Sequence, residues 1–282
     1  MPAVGHAGAM SGSVVFLHAH PDDEAIFTGG TMALLAASGW RIVLVLATEG
    51  ERGAASALVG PEVPLAVRRV AETARAAERL GAARVEFLGY HDSGMAGDPA
   101  NQAGGAFAAA PVEEAAERLR RILIEEEAVA LVTYDEGGGY GHPDHVQVHR
   151  VGRRAAELVA SEIPGLRVME STMNRDAMRR MYEGAKAIGQ ADDSWDPDGP
   201  ADDGNPLGLP EAEIHWQVDV MAQLPQRRAA LEAHRSQITD VAMMLALPEE
   251  VFATMFGTEH YVEPGRPAGM RVGWFLGADA TV

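Results

Sequence analysis

The stretch Val14-Val15-Phe16-Leu17-His18-Ala19-His20-Pro21-Asp22-Asp23-Glu24 decides the fold, because an apolar run passes without polar alternation into a Pro-Asp-Asp-Glu helix start. An alternating pattern marks a strand with one wet face, whereas a continuous run marks a strand buried on both. Residues 42–48 form a second such run, and residues 23–38 between the two read as a helix in spite of Gly29-Gly30. Moving outward, the alternation recurs. A helix at 65–80 stops at Gly81, and a strand at 84–88 precedes a helix at 112–127. A strand at 129–134, a helix from Pro143 to about 161 and a strand at 167–172 complete the series. This βαβαβαβ order predicts an α/β fold, Rossmann-like, with a mostly parallel sheet, helices on both faces and the active site at the carboxyl ends of the strands. Farther on, 214–220 and 272–276 read as strands and 224–237 as a helix.

At 282 residues, against about 150 per domain, and with no repeat or low-complexity linker, the chain is expected to form a single domain over 1–282. It would carry an acidic loop at about 190–213 and a substrate-side segment at about 214–282. Twenty-three basic against 41 acidic side chains leave a net charge of −18. That field repels polyanions, so nucleic acid and anionic membrane are excluded as expected partners. The absence of cysteine removes disulfides, thiolate nucleophiles and iron–sulfur clusters, so any metal must rest on His, Asp and Glu. Lys186 is the single lysine, which leaves Schiff-base chemistry and a GxxxxGK[ST] phosphate loop without their key residue. No apolar run approaches the roughly 18 residues of a membrane span, and no basic region precedes the run at 14–17. The expectation is a soluble, cytoplasmic protein, with homo-oligomerisation left open.

Two clusters carry chemistry. His18-Ala19-His20-Pro21-Asp22-Asp23-Glu24 follows the first strand, and Gly137-Gly138-Gly139-Tyr140-Gly141-His142-Pro143-Asp144-His145 follows the fourth. Pro with Asp or Glu is also an ordinary helix start, but helix capping does not ask for imidazoles beside the carboxylates in both places. His20 and Asp23, three apart across a strand-to-helix turn, are expected to converge on one ion, with His145 as the third ligand from the other loop. Two imidazoles and one carboxylate leave coordination positions open, as a catalytic Zn²⁺ site requires, and Fe²⁺ also suits such a set. Asp22, beside the ligand Asp23, is the natural general base. His142 is placed to stabilise a tetrahedral intermediate or protonate the leaving amine, with Asp144 tuning its charge. Of the other histidines, His6 falls in an N-terminal stretch without pattern and His18 reads as a core or supporting group. His149 reads as a helix-surface residue, His215 and His260 carry no signal, and His234 reads as a support from behind the site.

These motifs resemble the LmbE-like, or PIG-L-type, zinc-dependent de-N-acetylases. The resemblance extends through Arg69 and Glu72, Leu88-Gly89-Tyr90 with Asp92-Ser93-Gly94-Met95, Val132-Thr133-Tyr134-Asp135, and Ala233-His234-Arg235-Ser236-Gln237. It is strongest toward the mycothiol-pathway branches, which deacetylate N-acetylglucosaminyl-inositol or cleave mycothiol S-conjugates. It implies metal ligation by His20, Asp23 and His145, base catalysis by Asp22 and an electrostatic or acid role for His142. It also implies that Tyr140 points its hydroxyl at the oxyanion and that Arg69 and Asp92 meet sugar or cyclitol hydroxyls. One departure stands out: His91 occupies the place of an Arg before Asp-Ser-Gly. No apolar-aromatic cluster accompanies the motifs, so the expected substrate is a small, hydroxyl-rich N-acetylated amino sugar. The competing readings are an amidase for thiol conjugates, a non-haem iron oxygenase built on the same two-His-one-carboxylate set, and a sugar-binding module with a structural metal.

Overall fold

The computed structural model describes residues 12–54, 62–187, 189, 196–237, 240–274 and 276. His6 and the acidic residues Asp192 and Asp193 lie outside them. The parallel strands are β1 (Ser13–His18), β2 (Arg41–Thr48), β3 (Arg84–Tyr90), β4 (Ala128–Tyr134) and β5 (Arg167–Thr172). Three more strands, β6 (Trp216–Asp219), β7 (Thr258–Val262) and β8 (Arg271–Val272), extend one edge to give the order β3-β2-β1-β4-β5-β7-β6-β8. The sheet is mostly parallel, as expected, with β7 antiparallel to both neighbours.

The unbroken apolar runs have their physical reason here. Val14 and Phe16 of β1, with Ile42, Leu44 and Leu46 of β2, face one core, while Val15 and Leu17, with Val43 and Val45, face the other. The first core is covered by α1 (Asp23–Phe27), α2 (Gly29–Ala37), α3 (Leu65–Leu80) and α7 (Leu224–Ala233). The second is covered by α4 (Val112–Glu125) and α5 (Pro143–Leu158). Of the remaining helices, α8 (Asp240–Ala246) and α9 (Glu249–Phe256) add Val241, Phe252 and Phe256 to the first core, and α6 (Arg175–Ala187) has no fully buried residue. No helix among the described residues is long and apolar enough to cross a membrane.

Three readings change. The helix expected at 23–38 is two helices, broken at Thr28. The break is enforced from outside: Glu259 of β7 accepts the N–H groups of Gly30 at 2.8 Å and Thr31 at 3.0 Å, so α2 starts afresh on a carboxylate. A Cβ at Gly30 would collide with Val220, which is why the Gly pair is tolerated there. The second change is β7, which the sequence pattern did not reveal, because its inward positions are Glu259 and Tyr261 rather than two apolar residues. The third is the apolar strand expected at 272–276, which is reduced to the exposed two-residue β8.

Glu259 also takes a hydrogen bond from Tyr261 Oη at 2.9 Å and an ion pair from buried Arg227 at 3.0 Å. Removing one member of such a pair strands the other charge. Glu259→Ala should therefore lower unfolding free energy in denaturant titrations by about 3–5 kcal/mol. A loss under about 1 kcal/mol, the worth of an ordinary hydrogen bond, would show that the clamp does not hold the sheet extension to α2.

Candidate metal centre and catalytic residues

The sheet order reverses between β1 and β4, and in open α/β sheets that reversal opens a crevice at the carboxyl ends of the strands. The chain leaving β1 delivers His20 into it, and the chain leaving β4 delivers Tyr140 and then His142, which caps α5. Past His20 the backbone turns sharply at Asp22, whose φ of 93° is sparsely populated for a residue with a side chain. That conformation costs on the order of 1–3 kcal/mol and persists only where surroundings over-determine it. Here the Asp22 N–H donates to Glu24 Oε2 at 3.0 Å, and its carbonyl accepts from Ala25 and Ile26. The turn separates the two carboxylates. Asp23 Oδ2 accepts the His20 N–H at 2.8 Å and lies 3.4 Å from His20 Nδ1 and 3.2 Å from His145 Nε2. Asp22 Oδ2 instead lies 3.1 Å from Arg69 Nη2.

The rings of His20, His142 and His145 each offer a nitrogen within 4.8 Å of the others, and His20, Asp92, His142 and Asp144 form an overlapping group. Hydrogen-bond partners decide which nitrogens carry lone pairs. His145 Nδ1 faces the carbonyl of Gly138 at 3.2 Å, so it carries the proton, and buried Nε2 is left with a lone pair 3.2 Å from the Asp23 carboxylate and no hydrogen bond. His20 Nε2 faces Asp144 Oδ2 at 3.0 Å, which turns Nδ1 toward ligation. Both arrangements match the habit of metal-bound histidines, whose second nitrogen donates to a carbonyl or carboxylate. His142 is the opposite case. Its Nδ1 accepts the Asp144 N–H at 3.1 Å, so in the neutral ring Nε2–H is a donor and has no pair to give a metal. The donor set that fits a divalent cation is thus His20 Nδ1, Asp23 Oδ2 and His145 Nε2.

The electrostatics agree with that division. Burial would raise Asp23, but the imidazoles of His145 and His20 hold it well below the usual carboxylate range. Burial opposes a charge on His20, yet Asp144 and Asp23 raise it well above the ordinary value, so the position attracts a cation. Burial, then His20 and His145, press His142 down to about 3, keeping it neutral. Burial pushes Asp22 up to about 6 against the pull of Arg69, which places it close to neutrality as a proton acceptor. Tyr140 is raised by burial and then by Asp23 and Asp22, so its phenol keeps its proton and can only donate toward an anion.

Two expected roles shift. The Asp144 charge acts on His142 through space, favouring its proton, but the carboxylate makes its hydrogen bonds elsewhere. Its oxygens accept from His20 Nε2, from the Ser93 N–H at 2.9 Å and from Ser93 Oγ at 2.5 Å. Arg69, expected to meet substrate, is 3% exposed and bonds the carbonyls of Gly50 and Pro21 as well as Asp22. Asp92 does border the site, 3.7 Å from His20 Nε2, but accepts the N–H groups of Gly94 and Arg52. Tyr140 stands at the mouth, stacked on Phe27 and edge-on to His145. His91 is exposed and pairs with Glu51 at 3.0 Å. His149 is half-buried and faces the Tyr134 carbonyl rather than the crevice.

The described part of the acidic segment packs on the Gly137–Gly141 loop: Asp202 N–H donates to Tyr140 O at 3.1 Å, and Gly208 N–H to Gly139 O at 3.0 Å. Ser93 and Tyr134, whose ring stacks on His145 at 4.5 Å, were missed as site residues, and so was Glu24. All three lie inside stretches already singled out, but their contacts across the site have no local signature.

Metal content separates these assignments. His20→Ala and His145→Ala should each retain under a tenth of the wild-type metal after gel filtration, following the 10- to 100-fold or larger affinity losses that go with even supporting groups. His142→Ala should stay near wild-type occupancy. Elemental analysis showing loss of metal from His142→Ala, or full retention in His145→Ala, would reverse the assignment.

Residues 15–156 match the PIG-L family, described as GlcNAc-PI de-N-acetylase. The 1D-myo-inositol 2-acetamido-2-deoxy-alpha-D-glucopyranoside deacetylase of Thermobispora bispora is 36% identical over 279 residues, covering 92% of this chain and 90% of its own. Among solved structures, N,N'-diacetylchitobiose deacetylase from Pyrococcus horikoshii superposes with a TM-score of 0.53 at 20% identity, over 90% of this chain and 84% of its own. The 4-carboxy-2-hydroxymuconate hydratase of Pseudomonas putida superposes with a TM-score of 0.58 at 18% identity, over 93% and 99%. Since a hydratase shares the fold, the fold alone does not set the reaction. The sequence match and its extent do set the family: this chain belongs to the PIG-L family of de-N-acetylases.

Proposed function

We propose that this protein is a zinc-dependent hydrolase that removes the N-acetyl group from a small amino-sugar glycoside of the N-acetylglucosaminyl-inositol type, releasing acetate and a free amine. The observation that carries the mechanism is the opposed tautomers of His145 and His142, one a bare ligand nitrogen and the other a hydrogen-bond donor. The substrate class rests on the Thermobispora bispora relative, which is matched along nine-tenths of both chains. An iron oxygenase reading loses its support once the chain falls in this family, and three ligands rather than four argue against a purely structural metal.

His20, Asp23 and His145 would hold the ion, which when bound acidifies a water and polarises the acyl carbonyl. Asp22 accepts a proton from the attacking water as its oxygen bonds to the carbonyl carbon. The charge that builds on the carbonyl oxygen meets the Tyr140 hydroxyl and His142 Nε2–H, both donors that the surrounding structure keeps protonated. When the C–N bond breaks, the nitrogen takes up the proton lodged on Asp22, and acetate and amine leave. Arg69 holds the Asp22 carboxylate from behind.

Asp22→Asn keeps the shape but cannot accept the proton. It should bind metal normally and lose about 10²–10⁴-fold in kcat, while dialysis against chelator should abolish wild-type turnover and Zn²⁺ restore it. Near-normal kcat in Asp22→Asn would pass the base role to another group.

Substrate choice is tested by acetate release across a panel of glycosides. N-acetylglucosaminyl-inositol should show higher kcat/KM than free N-acetylglucosamine, because polar groups built to pair with hydroxyls are left unpaired by the smaller sugar. Equal values for the two would remove the aglycone site, and preference for a bulky thioether conjugate would select the amidase reading.

A further inference from the structure

Asp22 is one of two non-glycine residues with positive φ among the described residues, and it is the residue assigned above as the base. Ala25 and Ile26 hold the Asp22 carbonyl, but on the N–H side the turn has a single side-chain brace, the two-residue link to Glu24. Glu24 is fully buried, and its two oxygens have separate tasks. Oε2 accepts the Asp22 N–H at 3.0 Å, while Oε1 lies 2.6 Å from Nε2 of His234, a residue 210 positions away and also fully buried.

His234 follows the last residue of α7 and is anchored by its neighbours. Its N–H donates to Leu231 O, the Gln237 N–H donates to its carbonyl, and Ser236 binds Glu72 of α3 through both its N–H and its hydroxyl. The C-terminal end of α7 is thereby pinned to α3 and reaches under the first catalytic loop. None of these groups enters the chemistry set out above.

We propose that the Glu24–His234 pair is a positioning device that fixes the strained backbone of Asp22 and so aims its carboxylate. This rests on the reading of Asp22 as the base. With His234 gone, Glu24 Oε1 has no partner in a dry interior, and the carboxylate turns to find one. The Asp22 N–H then loses its acceptor, φ relaxes toward the ordinary region, and the carboxylate swings away. Misplacement by about 1 Å can cost on the order of 10²-fold in rate. Arg69 also grips this turn, at the Asp22 carboxylate and the Pro21 carbonyl, but as a donor it cannot replace the acceptor that the Asp22 N–H loses.

The test is a double-mutant cycle on the zinc-loaded enzyme with N-acetylglucosaminyl-inositol as substrate, alongside metal content and thermal midpoint. His234→Ala should lower kcat about 10- to 100-fold, with KM and bound zinc within about twofold of wild type. His234→Gln, whose amide N–H can reach Glu24, should recover most of the loss. In the Asp22→Asn background, His234→Ala should cost less than about twofold more, because nothing remains to be aimed. If His234→Ala fails to fold, His234→Asn keeps a polar side chain too short for Glu24 and takes its place in the same cycle.

Losses that multiply in the double variant, unchanged kcat in the single one, or loss of zinc would each overturn the positioning role. Wild-type turnover by Asp22→Asn alone would instead overturn the base assignment beneath it.

Discussion

The hydrogen bond from His20 Nε2 to Asp144 Oδ2, 3.0 Å long, joins two loops separated by 124 residues in sequence. It closes the crevice between β1 and β4, sets the ring of His20 so that Nδ1 faces Asp23, and gives Asp144 a reason to be ionised in a dry place. Asp144 cannot move without disturbing its neighbours. Its backbone N–H fixes the tautomer of His142, and its carboxylate is seated by Ser93 from the loop after β3. Three loop ends are therefore interlocked through one carboxylate. A buried charge of this kind is tolerated because three donors meet its two oxygens.

The same site shows why three imidazoles in one cluster need not share a role. Proximity alone offers His20, His142 and His145 as equivalent candidates. The neighbours of their second nitrogens break the equivalence, since a carboxylate and a carbonyl leave two of them a lone pair to offer while a backbone N–H makes the third a donor. Glycines serve this division. Gly138, with φ near +63°, brings its backbone so close to His145 that an added Cβ would lie 2.6 Å from the ring's own Cβ, and its carbonyl is the acceptor that bares Nε2.

Support for the loop after β1 comes from the part of the chain beyond the parallel sheet. Glu259 starts α2, Arg227 binds carbonyls of Ala25 and Ile26 in α1, and His234 meets Glu24. The match to the PIG-L family ends at residue 156. The remaining residues are nonetheless built into the back of the site.

What the sequence by itself determined was whatever has a local signature. The double-sided strands follow from unbroken apolar runs, α3 and the start of α5 from capping residues, and the grouping of His20, Asp22, Asp23, His142 and His145 from their placement after β1 and β4. The tertiary structure alone decided the partners. The resemblance gives Arg69 a contact with substrate hydroxyls, yet it is buried behind Asp22. Asp144 reads as the companion of His142 by adjacency, yet its carboxylate belongs to His20. Glu259 carries no local pattern, and His234, read as a support from behind the site, shows no sign of its partner, because those partners lie 228 and 210 residues away. Periodicity reports which face of an element is dry. It does not report which polar groups from distant elements meet on that face, because that depends on strand order and on the turn each loop takes at the end of its strand.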